Sequence, residues 1–249
     1  MSEIVPDDIT RLLLVEGPDD KQFFKRLLSR MAKTNEYASN LSRCKIRKFG
    51  GKEKLSEYLI EVIQTPNFKY LDKIWIVRDA DYNMTESEKV MGAPRRVLQS
   101  VNTAISNAYS KSSRVLTPPE LQGFMLSTDG RPSFSLMVLP DSNVSAGGTL
   151  ETMLLKALAA DPMLDCVNEY FECVKKCHPD SEVATNREDK NRLNVLLSGK
   201  LVLRDMARSK DTTRELPRFM YSMKWWNDDT FNDPIFDDAR AFLAQPLAP

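Results

Sequence analysis

The sequence predicts an α/β fold with a mainly parallel four-stranded sheet. Three observations carry this. Short apolar runs recur at residues 11–15, 73–77 and 133–139, with an alternating run at 45–49. The segments between them carry apolar residues at helical spacing. The run at 11–15 leads into Glu16-Gly17-Pro18, that at 73–77 into Arg78-Asp79-Ala80-Asp81, and that at 133–139 into Pro140-Asp141. Strands separated by amphipathic helices make βαβ units with right-handed crossovers. A length of 249 residues allows one to two domains. The expected division is an α/β domain over 1–159 and a helical C-terminal extension over 160–249 packed on it.

Arg11-Leu12-Leu13-Leu14-Val15 reads as the first strand, followed by Glu16-Gly17-Pro18-Asp19-Asp20. Pro18 and the acids after it are helix-start signals, and Phe23, Phe24, Leu27 and Leu28 share one helical face. Lys45-Ile46-Arg47-Lys48-Phe49 alternates apolar with basic until Gly50-Gly51 breaks it. Leu55, Leu59, Ile60 and Ile63 mark the next helix, stopped before Pro66. Lys73-Ile74-Trp75-Ile76-Val77 is the third strand and runs into Arg78-Asp79-Ala80-Asp81-Tyr82-Asn83. A polar helix is expected over 86–110, interrupted near Gly92-Ala93-Pro94, and then a loop or hairpin over 111–132. The fourth strand is 133–139, and Thr149 caps a helix carrying Leu150, Met153, Leu154 and Leu158. Further helices are expected near 164–176, 190–197 and 234–243, with Trp225-Trp226-Asn227-Asp228-Asp229 packed onto the core.

Composition narrows the function. Hydrophobic residues make up 42% and charged residues 28%, as in an ordinary globular protein. Thirty-five basic side chains balance thirty-five acidic ones, so nucleic acid would be bound through a local patch and not by bulk basicity. No apolar run approaches the roughly 18 residues of a membrane span, and the first residues lack signal-peptide order. A cytoplasmic protein with no membrane partner is expected. Cys44, Cys166, Cys173 and Cys177 include no Cys-x-x-Cys pair. Their spacing favours reduced thiols on a helix face over a zinc site with His178. A single histidine also disfavours Ser-His-Asp and Cys-His hydrolases. Any chemistry should therefore run on carboxylates and metal.

In an open parallel sheet, ligands bind beyond the carboxyl ends of the strands. Glu16, the pair Asp79 and Asp81, and Asp141 are delivered to that edge. In an extended segment alternate side chains point the same way, so Asp79 and Asp81 are expected to project together. Converging carboxylates repel, and a hard divalent cation such as Mg²⁺ removes that cost through oxygen ligands.

The segment Val15-Glu16-Gly17-Pro18-Asp19-Asp20, followed by Val77-Arg78-Asp79-Ala80-Asp81, resembles the Toprim domain. That domain is shared by topoisomerases, bacterial primases and overcoming-lysogenization-defect nucleases, and the resemblance covers about residues 9–155. The remainder resembles a small bacterial family with a Toprim-like core. The resemblance implies that Glu16 is a metal ligand or general acid/base and that Asp79 and Asp81 hold Mg²⁺ (or Mn²⁺). In the nuclease branch further acids build a second metal site, for which Asp20 and Glu151 are the matching candidates. A lysine near the scissile phosphate is also implied, with Lys190 or Lys200 in that role. The chain lacks room for a topoisomerase's tyrosine domain and the cysteine spacing of a primase zinc module. Tyr82-Asn83 replaces the glycine often found after the aspartates.

A compact nuclease acting on DNA or RNA is the resulting expectation. Two cations about 4 Å apart would stabilise the attacking and leaving oxygens, with Glu16 aiding proton transfer. Substrate contacts are expected from Lys48, Lys52 and Arg78, with Lys45, Arg47, Lys54, Arg95 and Arg96 nearby. Free N–H groups at Gly50-Gly51 could meet a phosphate there, although a plain turn explains the glycines as well. The chain has no Gly-x-x-x-x-Gly-Lys-[Ser/Thr] loop, so by resemblance a separate ATPase is the expected activator, in phage defence. A homo-oligomer stays open. The competing expectations are a non-catalytic Toprim-like module binding nucleic acid or a partner protein, and a generic nucleotide-binding domain. The second is disfavoured because no Gly-x-Gly-x-x-Gly follows the first strand.

Overall fold

The computed structural model describes residues 4–33, 43–81, 93–112, 121, 132–140, 147–178, 185–208 and 230–244. Four parallel strands, β1 (Arg11–Val15), β2 (Cys44–Lys48), β3 (Lys73–Asp79) and β4 (Ser133–Leu139), form one sheet in the order β2-β1-β3-β4. Helices α1 (Pro18–Lys33), α2 (Leu55–Gln64) and α3 (Ala93–Lys111) lie between them in the chain. Beyond β4 come α4 (Leu150–Ala157), α5 (Pro162–Cys177), α6 (Thr185–Arg208) and α7 (Asp237–Ala244). The expected α/β class and parallel sheet are therefore what the chain adopts.

Position in the sheet explains each strand's sequence. Inner strands β1 and β3 are covered on both faces, so they read as continuous apolar runs. Leu13, Val15, Trp75, Val77, Met137 and Leu139 face one core with Phe23, Phe24 and Leu27 of α1 and Leu150 and Leu154 of α4. Leu12, Leu14, Ile74, Ile76, Leu136 and Val138 face the other core with α2 and α3. The strand period of two sorts these residues to opposite faces. At the edge, β2 needs only partial burial, and Lys45 and Lys48 are exposed there.

Helices α6 and α7 join the first core. Leu193 and Leu197 of α6 and Phe242 and Leu243 of α7 are buried in it, and Phe236 lies 5.5 Å from Phe23, ring to ring. Leu164, Val167 and Phe171 of α5 form a smaller cluster with Leu196. Pro18 opens α1, with Asp19 and Asp20 in its first turn and Arg30 and Lys33 in its last, matching the helix dipole. The Trp225–Asp229 segment and most of 111–132 lie outside the described residues. Among the described residues no helix is long and apolar enough to cross a membrane.

The sheet is also polar from end to end. At the amino ends Arg11 and Lys73 stand in register on adjacent strands, and both are buried. Burial lowers the pKa of Lys73 to about 8, and the Arg11 charge pushes the same way. The acids lie at the opposite edge.

Candidate functional site

The chain leaves β1 toward β2 on one side and returns to β3 on the other, so the strand order reverses between β1 and β3. Crevices in open α/β sheets form at such a point, beyond the carboxyl ends. Glu16 directly follows β1 and Asp79 ends β3, which brings them to this crevice from positions far apart in sequence.

Asp79 shares the face of Trp75 and Val77, toward α1 and α4. Its Oδ1 accepts the Leu150 N–H at 3.1 Å, satisfying an amide at the start of α4. Burial raises its carboxyl well above the ordinary value, and the charges of Asp20, Glu16, Glu151 and Asp81 push the same way. Asp20 is buried in the first turn of α1, where the Gly17 N–H donates to its Oδ2 at 2.6 Å. Burial raises it to about 7, the Gly17 bond opposes this, and Glu151, Glu16 and Asp19 add to the rise. Among the described residues neither carboxyl has a cationic partner.

Cations do reach the surrounding acids. Arg78 precedes Asp79 and so turns to the opposite face, where its Nε lies 3.1 Å from Glu16 Oε2. The Arg78 side chain is 3% exposed and its Nη1 is buried without a hydrogen-bond partner. On α6, Lys190 Nζ sits 3.5 Å from both Glu151 Oε1 and Asp19 Oδ2, bridging α4 and α1. These acids hold its pKa above the ordinary value, although its burial acts in the other direction. Lys200, the alternative lysine, pairs instead with Asp161. Lys52 Nζ lies 3.5 Å from Asp81 Oδ2.

Asp81 departs from the extended geometry expected of it. Its φ is 57°, and its N–H donates to Gly148 O at 3.0 Å. Strand alternation therefore stops before Asp81, and the two aspartates acquire separate partners, Leu150 for Asp79 and Lys52 for Asp81. Asp141 and Tyr82-Asn83 lie outside the described residues. Lys48 is exposed at the end of β2, ahead of Gly50 and Gly51, whose φ values of 88° and 111° suit glycine.

Sequence reasoning missed Asp19 as a partner of Lys190, and Asp189, whose Oδ2 accepts the Thr152 hydroxyl at 2.5 Å. Neither has a local signal, because both contacts depend on where α6 docks. Among the described residues no three Asp, Glu, Cys or His side chains form a group able to hold a metal ion in this arrangement. Cys166, Cys173 and Cys177 are free, exposed thiols along α5.

The outer acids are thus paired with Arg78, Lys52 and Lys190, whereas Asp20 and Asp79 have no cationic partner among the described residues and burial raises the pKa of both. A family model described as "Protein of unknown function (DUF3226)" matches residues 10–206. The chain belongs to the DUF3226 family. The DUF3226 match includes all four strands, every acid of the crevice and Lys190, and it ends inside α6. No curated protein and no solved structure matches the chain.

Proposed function

We propose that this DUF3226 protein is a Mg²⁺-dependent nuclease of Toprim type, hydrolysing phosphodiester bonds in DNA or RNA, with Mn²⁺ able to replace Mg²⁺. The observation that carries the reading is the buried pair Asp20 and Asp79, without a cationic partner among the described residues and with raised pKa values. Two desolvated carboxyls at a strand-end crevice are costly to ionise together, and a hard cation offsets that cost. The donor set fits such an ion chemically, since its side chains offer only oxygen. Asp20 and Asp79 would hold it, with Glu16, Asp81 and Glu151 joining as their lysine and arginine partners give way. A bound divalent ion supplies charge for the phosphoryl oxygens and acidifies a water. Glu16 would then take up the proton, and Lys190 would face the scissile phosphate from α6. A separate ATPase, in phage defence, belongs to this reading through the Toprim resemblance alone.

The direct test is cleavage of plasmid DNA and of structured RNA with Mg²⁺ or Mn²⁺. Wild-type protein should cut, and Asp79→Asn and Glu16→Gln should not. Equal cutting by all three would overturn the assignment.

A second reading draws on the three ion pairs at Glu16, Asp81 and Glu151. A rim already neutralised from within suits a non-catalytic module that binds nucleic acid or a partner protein. Calorimetry separates the readings: Mg²⁺ and Mn²⁺ bind a nuclease and leave the module unaffected.

A further inference from the structure

Arg78 and Lys52 are occupied by Glu16 and Asp81, so an incoming polyanion needs other cations. They are found along the free edge of the sheet. Lys45 and Lys48 are exposed on β2, and Lys25 is exposed on α1 beside the partly exposed Lys21. Among the described residues no acidic partner is placed on any of these four. The charges felt by Lys21 come from Arg47, Lys45, Lys48 and Lys25, all positive, and together with burial they lower its pKa. In a chain with zero net charge, this is a segregated basic strip.

Backbone geometry ties the strip to the acidic crevice. The Phe49 N–H donates to Val15 O at 3.0 Å and the Gly50 N–H to Glu16 O at 3.1 Å, holding the exit of β2 beside Glu16. Lys21 begins the second turn of α1, its N–H donating to Gly17 O at 3.2 Å. The backbone at Lys21 and at Lys48 therefore lies within a few residues of Glu16. From there β2 carries Lys45 about 10 Å away, at about 3.3 Å per residue. Helix α1 carries Lys25 about 6 Å away, at about 1.5 Å per residue. Edge strands commonly bear lysine to deter pairing with other strands, but that role leaves Lys21 and Lys25 on the helix unexplained.

We propose that Lys21, Lys25, Lys45 and Lys48 form a docking strip for a nucleic-acid phosphodiester backbone, leading along the β2 edge into the crevice at Glu16. The proposal rests on reading that crevice as a phosphodiester site. A cluster of ammonium groups around the β2 edge suits a repeating phosphate chain, since duplex DNA presents a charge about every 1.7 Å of axis. It reads no base sequence, because contacts with phosphates only position.

The test is salt-dependent binding of fluorescent 20-base-pair DNA and RNA duplexes to the full chain without divalent ions. For DNA, log Kd against log salt should have a slope of about 3.6 for four contacts, and each Lys→Gln change should lower it by about 0.9. Each change should weaken binding about eightfold at 0.1 M salt. Lys69→Gln, an exposed lysine in the turn before β3, should change nothing. Duplex binding unaltered in the quadruple Lys→Gln variant would overturn the proposal. So would lysine-dependent binding to anionic phosphatidylserine vesicles with none to either duplex. Lysine-dependent duplex binding by a wild-type protein that cuts neither DNA nor RNA would count against the nuclease reading alone.

Discussion

Arg78 Nε donates to Glu16 Oε2 at 3.1 Å, yet the two partners differ in exposure: 3% for the Arg78 side chain and 21% for that of Glu16. The pair links the ends of β1 and β3 across the point where the strand order reverses. It also occupies the carboxylate assigned to proton transfer. Arg78 is therefore both a structural tie and a competitor with any metal for Glu16.

That asymmetry predicts unequal substitutions. Glu16→Gln leaves a buried guanidinium without its counter-charge and should cost about 2–3 kcal/mol, somewhat below the range for fully buried pairs. Arg78→Met leaves a carboxylate that water can reach and should cost less. The same Arg78→Met change should tighten Mn²⁺ binding by freeing Glu16. Urea denaturation gives the first comparison and calorimetry the second. An equal stability loss in both variants would contradict the proposed tie.

Asp20 and Asp79 determine how stability responds to pH. Both hold a proton more tightly in the folded chain than in the unfolded one, so the folded state binds more protons above about pH 4. Stability should then fall as pH rises from about 4 toward 7, where Asp20 ionises, and Asp79 contributes in the same direction. With chelator present, Asp20→Asn should be a few kcal/mol more stable than wild type at pH 8 and equal to it near pH 3.5, and Asp79→Asn should change stability in the same direction. Saturating Mn²⁺ should raise wild-type stability more at pH 8 than at pH 5. Melting curves across this range give the sign directly, and wild-type stability that rises with pH would refute the buried-acid account.

Much of the fold was legible because hydrophobic period and chain punctuation act locally. The limits of β1 and β4 agree with the apolar runs, and α2 ends two residues before Pro66. Helix α1 begins at Pro18, ahead of the expected apolar face, because a proline at the first turn loses no helical hydrogen bond. Strand β3 extends to Asp79, since pairing with β4 continues through Asp79 and Leu139.

The site was legible only in outline. Glu16, Asp20 and Glu151 do gather closely enough to Asp79 for their charges to raise its pKa, and Glu151 and Glu16 do the same to Asp20. The partners that decide their state were hidden. Arg78 reads in sequence as a substrate contact, and its pairing with Glu16 follows only once period-two alternation is set in the folded sheet. Asp81 looked like the twin of Asp79, but its left-handed φ turns the chain away. Lys190 is a candidate from the resemblance, while its bridge to Asp19 emerges only from the docking of α6.

Gly148 should resist enlargement. A Cβ there would lie 2.5 Å from Pro140 Cδ and 2.8 Å from its Cγ, inside any normal contact. Its carbonyl accepts from Asp81, and Leu150, two residues on, donates to Asp79. Gly148→Ala should cost about 1–3 kcal/mol by overpacking. Because the displaced loop carries partners of both aspartates, Mn²⁺ affinity should fall along with the melting temperature. Unchanged Mn²⁺ binding in a destabilised Gly148→Ala protein would separate the loop from the site.

Lys190 offers the sharpest division between structure and chemistry. It is 52% exposed, and its two acid contacts are both 3.5 Å, so its ion pairs should contribute at most about 1 kcal/mol to stability. Lys190→Met should therefore fold and melt nearly as wild type. If the lysine faces the scissile phosphate, cleavage should drop by about 100-fold or more, the scale of a lost charge at a reacting oxygen. Mn²⁺ binding should hold or tighten, because Glu151 and Asp19 lose a competing cation. Lys200→Met, which removes the partner of Asp161, is the matched control and should cleave normally. A Lys190→Met protein that cuts like wild type would reduce Lys190 to a clamp between α1, α4 and α6. A large loss of stability would show that the clamp matters more to folding than its exposure implies.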